Sequence, residues 1–190
     1  MKLLPEFSLT FQNGFWLMVP LFLMRFVIPR WITCDSLPKL EFFPETLGIE
    51  RIFLTVYFIT NTVIILSPLF MKLQPSSPLL IIGCMVYLVG CLFFLLSVIP
   101  FSKDDAFTSE GIYRLSRNPM YIGYYLMFLG TGLLINSILF IALIQIYQIA
   151  VHFLVLSEER WCLNKFGATY MDYLNTVPRY LFIKKVHSSE

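Results

Sequence analysis

Residues 121–156 read YIGYYLMFLGTGLLINSILFIALIQIYQIAVHFLVL and hold no Asp, Glu, Lys or Arg. A hydrocarbon core of about 30 Å needs roughly 20 apolar residues in one helix. The stretch is too long for a single crossing and long enough for two. Asn136 and Ser137 sit near its middle, where a tight turn costs least. The segment therefore predicts a helical hairpin, Pro119 to Ile135 and then Ser137 to Leu156. Backbone groups left unpaired in lipid are not tolerated, so a spanning chain is either helical or a closed barrel. An unbroken apolar run is not the alternating pattern of a barrel strand. The fold class expected is all-α, an integral membrane protein.

Working outward, three more apolar stretches appear: about Phe11 to Ile28, Ile52 to Phe70, and Leu79 to Ile99. With the hairpin they make about five transmembrane helices. Composition agrees. Apolar residues make up 57% of the chain and charged residues 14%, against roughly 25% charged in an average soluble protein. A soluble domain of 190 residues could not hide that much apolar surface. The net charge of +2 comes with no long basic run, so no nucleic-acid partner is expected. Cys34, Cys84, Cys91 and Cys162 form neither a CxxC pair nor a Cys/His zinc spacing, so no metal is expected either. Lys2 is followed by Glu6 and no small-residue cleavage site follows the first apolar stretch, so no cleaved leader is expected.

Five spans put segments 29–51, 100–118 and the tail after 156 on one side. Of the 14 Lys and Arg, only Lys2 and Lys72 fall on the other side. The positive-inside bias then predicts a cytoplasmic C-terminus and an external N-terminus. The polar residues gather in two places on the expected cytoplasmic side. One precedes the hairpin (FTSEGIYRLSRNPMYIG, 107–123) and one follows it (SEERWCLNKFGATYMDYL, 157–174). A hairpin returns its ends to each other, so these distant segments should be neighbours at the membrane surface. Pro119 suits the first turn of the fourth helix. Glu158 and Glu159 are read as ending the fifth helix, where paired acids oppose the dipole and need a cation such as Arg114, Arg117 or a positively charged ligand. Trp161, Phe166, Tyr170 and Tyr173 fit one rough stripe of an amphipathic surface helix. His152 precedes Glu158 on the fifth helix, and an intramembrane ionisable group is a functional candidate; a neutral packed His is the commoner case.

The combination G-I-Y-R-x-x-R-N-P-M-Y-x-G at 111–123, a hydrophobic hairpin, E-E at 158–159, F-G-x-x-Y-x-x-Y at 166–173 and V-P-R-Y at 177–180 resembles the isoprenylcysteine carboxyl methyltransferases, with the phospholipid N-methyltransferases as relatives. The resemblance covers about residues 100–180. It implies a single membrane domain over 1–190, with three scaffold helices in 1–100 and a cofactor-binding hairpin and C-terminal cap in 101–190. It implies an S-adenosylmethionine-dependent methyltransferase acting on a lipophilic or prenylated small molecule, or on a membrane lipid. Ala106, Phe107, Thr108, Tyr113, Asn118, Pro119, Met120, Tyr121, Glu158 and Glu159 would then hold the cofactor. Arg117 and His152, with Glu158, would be catalytic candidates. The chain departs from the pattern at Asn118, where the family usually has His, and at Leu154, where the prenylcysteine enzymes carry an Arg thought to hold the substrate carboxylate. His152 is the nearest alternative. The rival readings are a phospholipid N-methyltransferase, a reductase sharing the hairpin architecture, and a non-enzymatic transport or scaffold subunit.

Overall fold

A computed structural model describes residues 1–8, 13–32, 43–75, 78–103 and 107–181. Among them five apolar helices follow one another: α1 (Phe15–Ile32), α2 (Ile49–Leu66, prolonged by a 3-10 turn at Ser67–Leu69), α3 (Leu80–Lys103), α4 (Pro119–Ile135) and α5 (Ile138–Phe166). A short helix, α6 (Ala168–Thr176), completes them. Four are long and apolar enough to cross a bilayer, and α4 is a shorter apolar helix. The all-helical membrane fold expected from the sequence is the fold observed.

The hairpin turn is where the sequence places it. Asn136 takes a left-handed conformation with φ +62°, which Asn tolerates better than most residues. Ser137 caps α5 by accepting from the Phe140 N–H at 3.2 Å. The N-terminal strand of chain lies across this turn. The Lys2 N–H donates to Asn136 O, and the Ile138 N–H donates to Lys2 O.

Several boundaries differ from the sequence reading: α1 ends at Ile32 and α3 at Lys103, each four residues later than expected. α1 starts at Phe15 rather than Phe11, because the preceding residues are held elsewhere: the Asn13 side chain donates to Leu69 O at 2.7 Å, and the Gly14 N–H to Met71 O. More consequentially, α5 does not end near Leu156 but continues to Phe166. No Gly or Pro interrupts it until Gly167, whose φ of +56° stops the helix. At 1.5 Å per residue, its 29 residues span about 43 Å, well beyond the apolar core of a bilayer. Glu158 and Glu159 therefore lie two turns inside the helix, about 30 Å from its start. They are inside the helix, not at a helix terminus facing the dipole.

α3 and α4 pack most closely, because glycines remove the side chains between them. A Cβ on Gly90 would stand 2.5 Å from Met127 N; on Gly123, 2.7 Å from Phe94 N; on Gly130, 2.6 Å from Tyr87 N. All three contacts lie on one antiparallel register, so the two backbones touch along most of their length. α5 lies against α4 on one side and α2 on the other, where Phe53 stacks on Phe153 and Tyr57 on Tyr147. α1 closes the group: the Tyr87 hydroxyl donates to Leu17 O, and Arg25 donates to the Tyr124 hydroxyl at 2.5 Å. Phe94, Met127, Phe128 and Ile144 are fully buried at the centre, while Ile81, Met85 and Leu88 on α3 face outward, as a lipid-exposed surface requires.

Candidate functional site

The site is where the segment before α4, the boundary region of α5 and the C-terminal cap meet. Each is placed by a local feature. Glu110 and Gly111 turn the chain into a single 3-10 turn, Gly111–Arg114, which buries Tyr113. Pro119 occupies the first turn of α4. Gly167 separates α5 from α6, so the aromatic stripe read as one helix is shared between two. Its parts converge instead on Phe107, whose ring lies 5.1 Å from Phe166, 5.1 Å from Tyr170 and 5.5 Å from Tyr173. The Tyr173 hydroxyl donates to Tyr113 O at 2.7 Å.

The two neighbouring acids have different surroundings. Glu158 accepts from the Tyr121 hydroxyl at 2.5 Å, joining α5 to the start of α4. Glu159 is buried and held by two guanidinium groups. Arg117 reaches it at 3.0 Å, and Arg179 donates through Nε and Nη2 at distances down to 2.7 Å. Arg117 also donates to Leu174 O at 2.9 Å, and its backbone N–H to Pro178 O. Ser116 Oγ and Asn118 Nδ2 both donate to Arg179 O. Asn118 is thereby turned away from the first turn of α4, which has no side-chain cap. Glu159 is the knot that ties the pre-hairpin segment, α5 and the C-terminal strap together.

Electrostatics follow from burial and from these pairs. Removal from water pushes the Tyr113 and Tyr173 hydroxyls well above their usual range, so both stay neutral. The Glu159 hydrogen bonds raise Arg179 further. Burial pushes Tyr180 up to about 12. Its hydroxyl lies 3.2 Å from His152 Nδ1.

Two buried polar atoms in this region have no partner among the described residues: Thr108 Oγ1 and Arg117 Nε. Buried polar groups are ordinarily satisfied, so both fit a place that accepts a ligand with hydrogen-bonding groups.

Of the residues singled out from sequence, Phe107, Thr108, Tyr113, Arg117, Asn118, Pro119, Met120, Tyr121, Glu158 and Glu159 occupy this junction. Ala106 lies outside the described residues. His152 lies further along α5 and joins the site through Tyr180. Leu154 is buried at 2% exposure in the helix core. Arg114 is exposed. Arg179 was missed, although V-P-R-Y was quoted. The available signal was a Pro-directed turn followed by Arg, opposite an acidic pair in need of a cation. Arg160 pairs instead with Glu50, at 2.6 Å and 2.7 Å, tying α5 to the first turn of α2.

Residues 80–169 match the phospholipid methyltransferase family. That range begins with α3, takes in the hairpin and the acidic pair, and ends just past Gly167. The protein-S-isoprenylcysteine O-methyltransferase of Schizosaccharomyces pombe (strain 972 / ATCC 24843) is 29% identical over 80 residues, which cover 40% of this chain and 33% of that protein. The chain thus aligns with about a third of that relative's length. No solved structure matches. The matched helices are the ones that carry the junction of Tyr121, Arg117, Glu158 and Glu159, and over them the chain is similar to the phospholipid methyltransferase family and to the S. pombe protein.

Proposed function

We propose that the chain is an S-adenosylmethionine-dependent methyltransferase that modifies a lipophilic acceptor at the membrane, with residues 101–190 forming its catalytic half and the site facing the cytoplasm. The observation that carries this reading is the meeting of Glu158 with Tyr121, beside buried polar atoms that lack partners among the described residues. The chemistry such a cofactor supplies when bound is an electrophilic methyl group on a sulfonium. Glu158, free of any guanidinium, offers its carboxylate to a cationic ligand. Thr108 Oγ1 and the uncapped start of α4 at Pro119–Tyr121 offer further polar contacts. Phe107, Tyr113 and Met120 provide apolar surface and exclude water. Glu159, Arg117 and Arg179 hold the walls in position. With the acceptor entering from the lipid side and the cofactor from the aqueous side, alignment in line contributes roughly 7–11 kcal/mol of barrier lowering. The specificity of the S. pombe relative suggests a prenylated acceptor, and the family match a phospholipid.

The test is calorimetric titration of the purified chain in detergent with S-adenosylmethionine and S-adenosylhomocysteine. Binding that weakens at least 10-fold in Glu158→Ala supports the reading. No binding, or undiminished binding in that variant, sinks it.

A further inference from the structure

A cleft of about 360 Å³ runs along α5 on the side away from α2, lined by Gln145, Gln148, Ile149, His152 and Tyr180. Ligand clefts begin at about this size. Gln145, Gln148 and His152 are spaced by three and four residues, so they share one face of the helix. Polar side chains on an outward face within a membrane span need partners. Gln145 has one, the Tyr125 hydroxyl of α4 at 3.2 Å. Gln148 Oε1 is buried without any. The lower end of the cleft is Tyr180, next in sequence to the Arg179 that grips Glu159. The cleft therefore ends beside the strap that carries Arg179. His152 stands seven residues before Glu159, about 10 Å along the helix.

None of the lining residues offers a guanidinium or ammonium group, and Arg179 beside it is already engaged by Glu159. A carboxylate head would find no counter-charge among the described lining residues, and it has no hydrogen with which to satisfy Gln148 Oε1. A head bearing N–H, O–H or S–H would. Such a head must also lose its proton on methylation, whereas a carboxylate need not. We propose that this cleft holds the methyl acceptor, that the acceptor is a lipophilic protic nucleophile (thiol, phenol or amine) and not a carboxylate, and that His152 is its general base.

This inference rests on the methyltransferase reading above. With Nδ1–H donating to the Tyr180 hydroxyl oxygen, Nε2 keeps its lone pair for the cleft. The acceptor's X–H bond breaks and the proton passes to Nε2. The X lone pair forms the new bond to the methyl carbon. The carbon–sulfur bond breaks with its electron pair left on sulfur, giving a neutral thioether, and the imidazolium then returns its proton to water.

Four probes with one tail separate the possibilities: dodecanethiol, para-dodecylphenol, dodecylamine and dodecanoate, presented in micelles to the full chain with methyl-labelled cofactor. The proposal expects at least one protic probe to be methylated and dodecanoate to stay at background. His152→Gln should lower kcat on the best probe by roughly 100-fold or more with calorimetric cofactor affinity unchanged, which also reports folding. Tyr180→Phe, which keeps the imidazole but removes its Nδ1 partner, should lower kcat several-fold with little change in KM. Gln148→Leu should raise KM instead. Methylation of dodecanoate as fast as of any protic probe overturns the proposal. So does wild-type kcat in His152→Gln, or no turnover of any probe by a chain that binds the cofactor. A chain that binds no cofactor at all refutes the methyltransferase reading itself.

Discussion

Replacing Gly90 by Ala tests the α3–α4 contact, on which the placement of Pro119–Tyr121 depends. The added Cβ would stand 2.5 Å from Met127 N and 2.9 Å from Leu126 C. Ordinary carbon contacts lie at about 3.5–4.0 Å, so α3 must withdraw by about 1 Å. The atoms it meets are backbone of a packed helix and cannot rotate away. Withdrawal also loosens the Gly123–Phe94 and Gly130–Tyr87 contacts in the same register. Overpacking costs about 1–3 kcal/mol, and a rigid backbone partner places this case near 3. Ala recovers roughly 1 kcal/mol over Gly inside a helix. The net expectation is a loss of about 2 kcal/mol, or roughly 30-fold in the folding constant. Gly83→Ala is the internal control. It lies on the same face of α3, but its nearest neighbours are the Leu134 Cγ at 3.0 Å and Leu133 Cβ at 3.2 Å. The Leu134 side chain can turn and Leu133 Cβ needs a shift of only a few tenths of an ångström, so the steric cost is about 1 kcal/mol and the helix gain offsets it. Reversible unfolding in mixed dodecyl sulfate micelles, followed by circular dichroism, compares the two. If Gly90→Ala unfolds at the same detergent fraction as the wild type, or Gly83→Ala is equally damaging, the close-backbone argument is wrong.

Other expectations concern the acidic junction. Glu159→Ala leaves the Arg117 guanidinium, 9% exposed, without its carboxylate; removing one partner of a buried pair costs about 3–5 kcal/mol. Limited proteolysis should then cut within 174–181, where the wild type resists; an unchanged digestion pattern speaks against the knot. Glu158→Gln keeps an acceptor oxygen for the Tyr121 hydroxyl and removes only the charge. Hydrogen bonds to charged groups contribute about 1.5–3 kcal/mol, so cofactor affinity should fall roughly 10- to 100-fold with the melting temperature little changed. Equal affinity would assign the cationic contact elsewhere. The Arg160–Glu50 fork is partly open, with Arg160 37% exposed. Arg160→Ala should cost about 1 kcal/mol or less and weaken further with salt; a loss comparable to that of Glu159→Ala would show the fork to be a main support.

How much of this was legible in the sequence depends on the range of the interaction. The spans and the hairpin turn were legible because each rests on local composition: an apolar run, Asn136 able to take positive φ, Ser137 able to cap. The nearness of segment 107–123 to Glu158 and Glu159 also followed, since it needed only topology. What escaped was anything settled by a contact between distant residues. No pattern at 157–166 distinguishes a helix that ends at the acids from one that carries them two turns further, since the deciding feature is Gly167. Nor does the sequence say which Arg meets which Glu. The sequence offers Arg114 and Arg117 for the acids, yet Arg117 and Arg179 meet Glu159, Arg160 meets Glu50, and Arg114 is exposed. That sorting explains why neighbouring acids are not redundant. Helix geometry turns consecutive residues about 100° apart, so Glu158 faces α4 and Tyr121 while Glu159 faces the strap and its guanidinium groups. Among the described residues only one of the pair retains a carboxylate uncommitted to a cation, and it is the one beside the start of α4. The division of roles between Glu158 and Glu159 is thus a consequence of α5 running unbroken past Leu156 to Phe166. A helix stopping at Leu156, as the apolar run alone suggests, would leave both acids in a loop with no reason to differ.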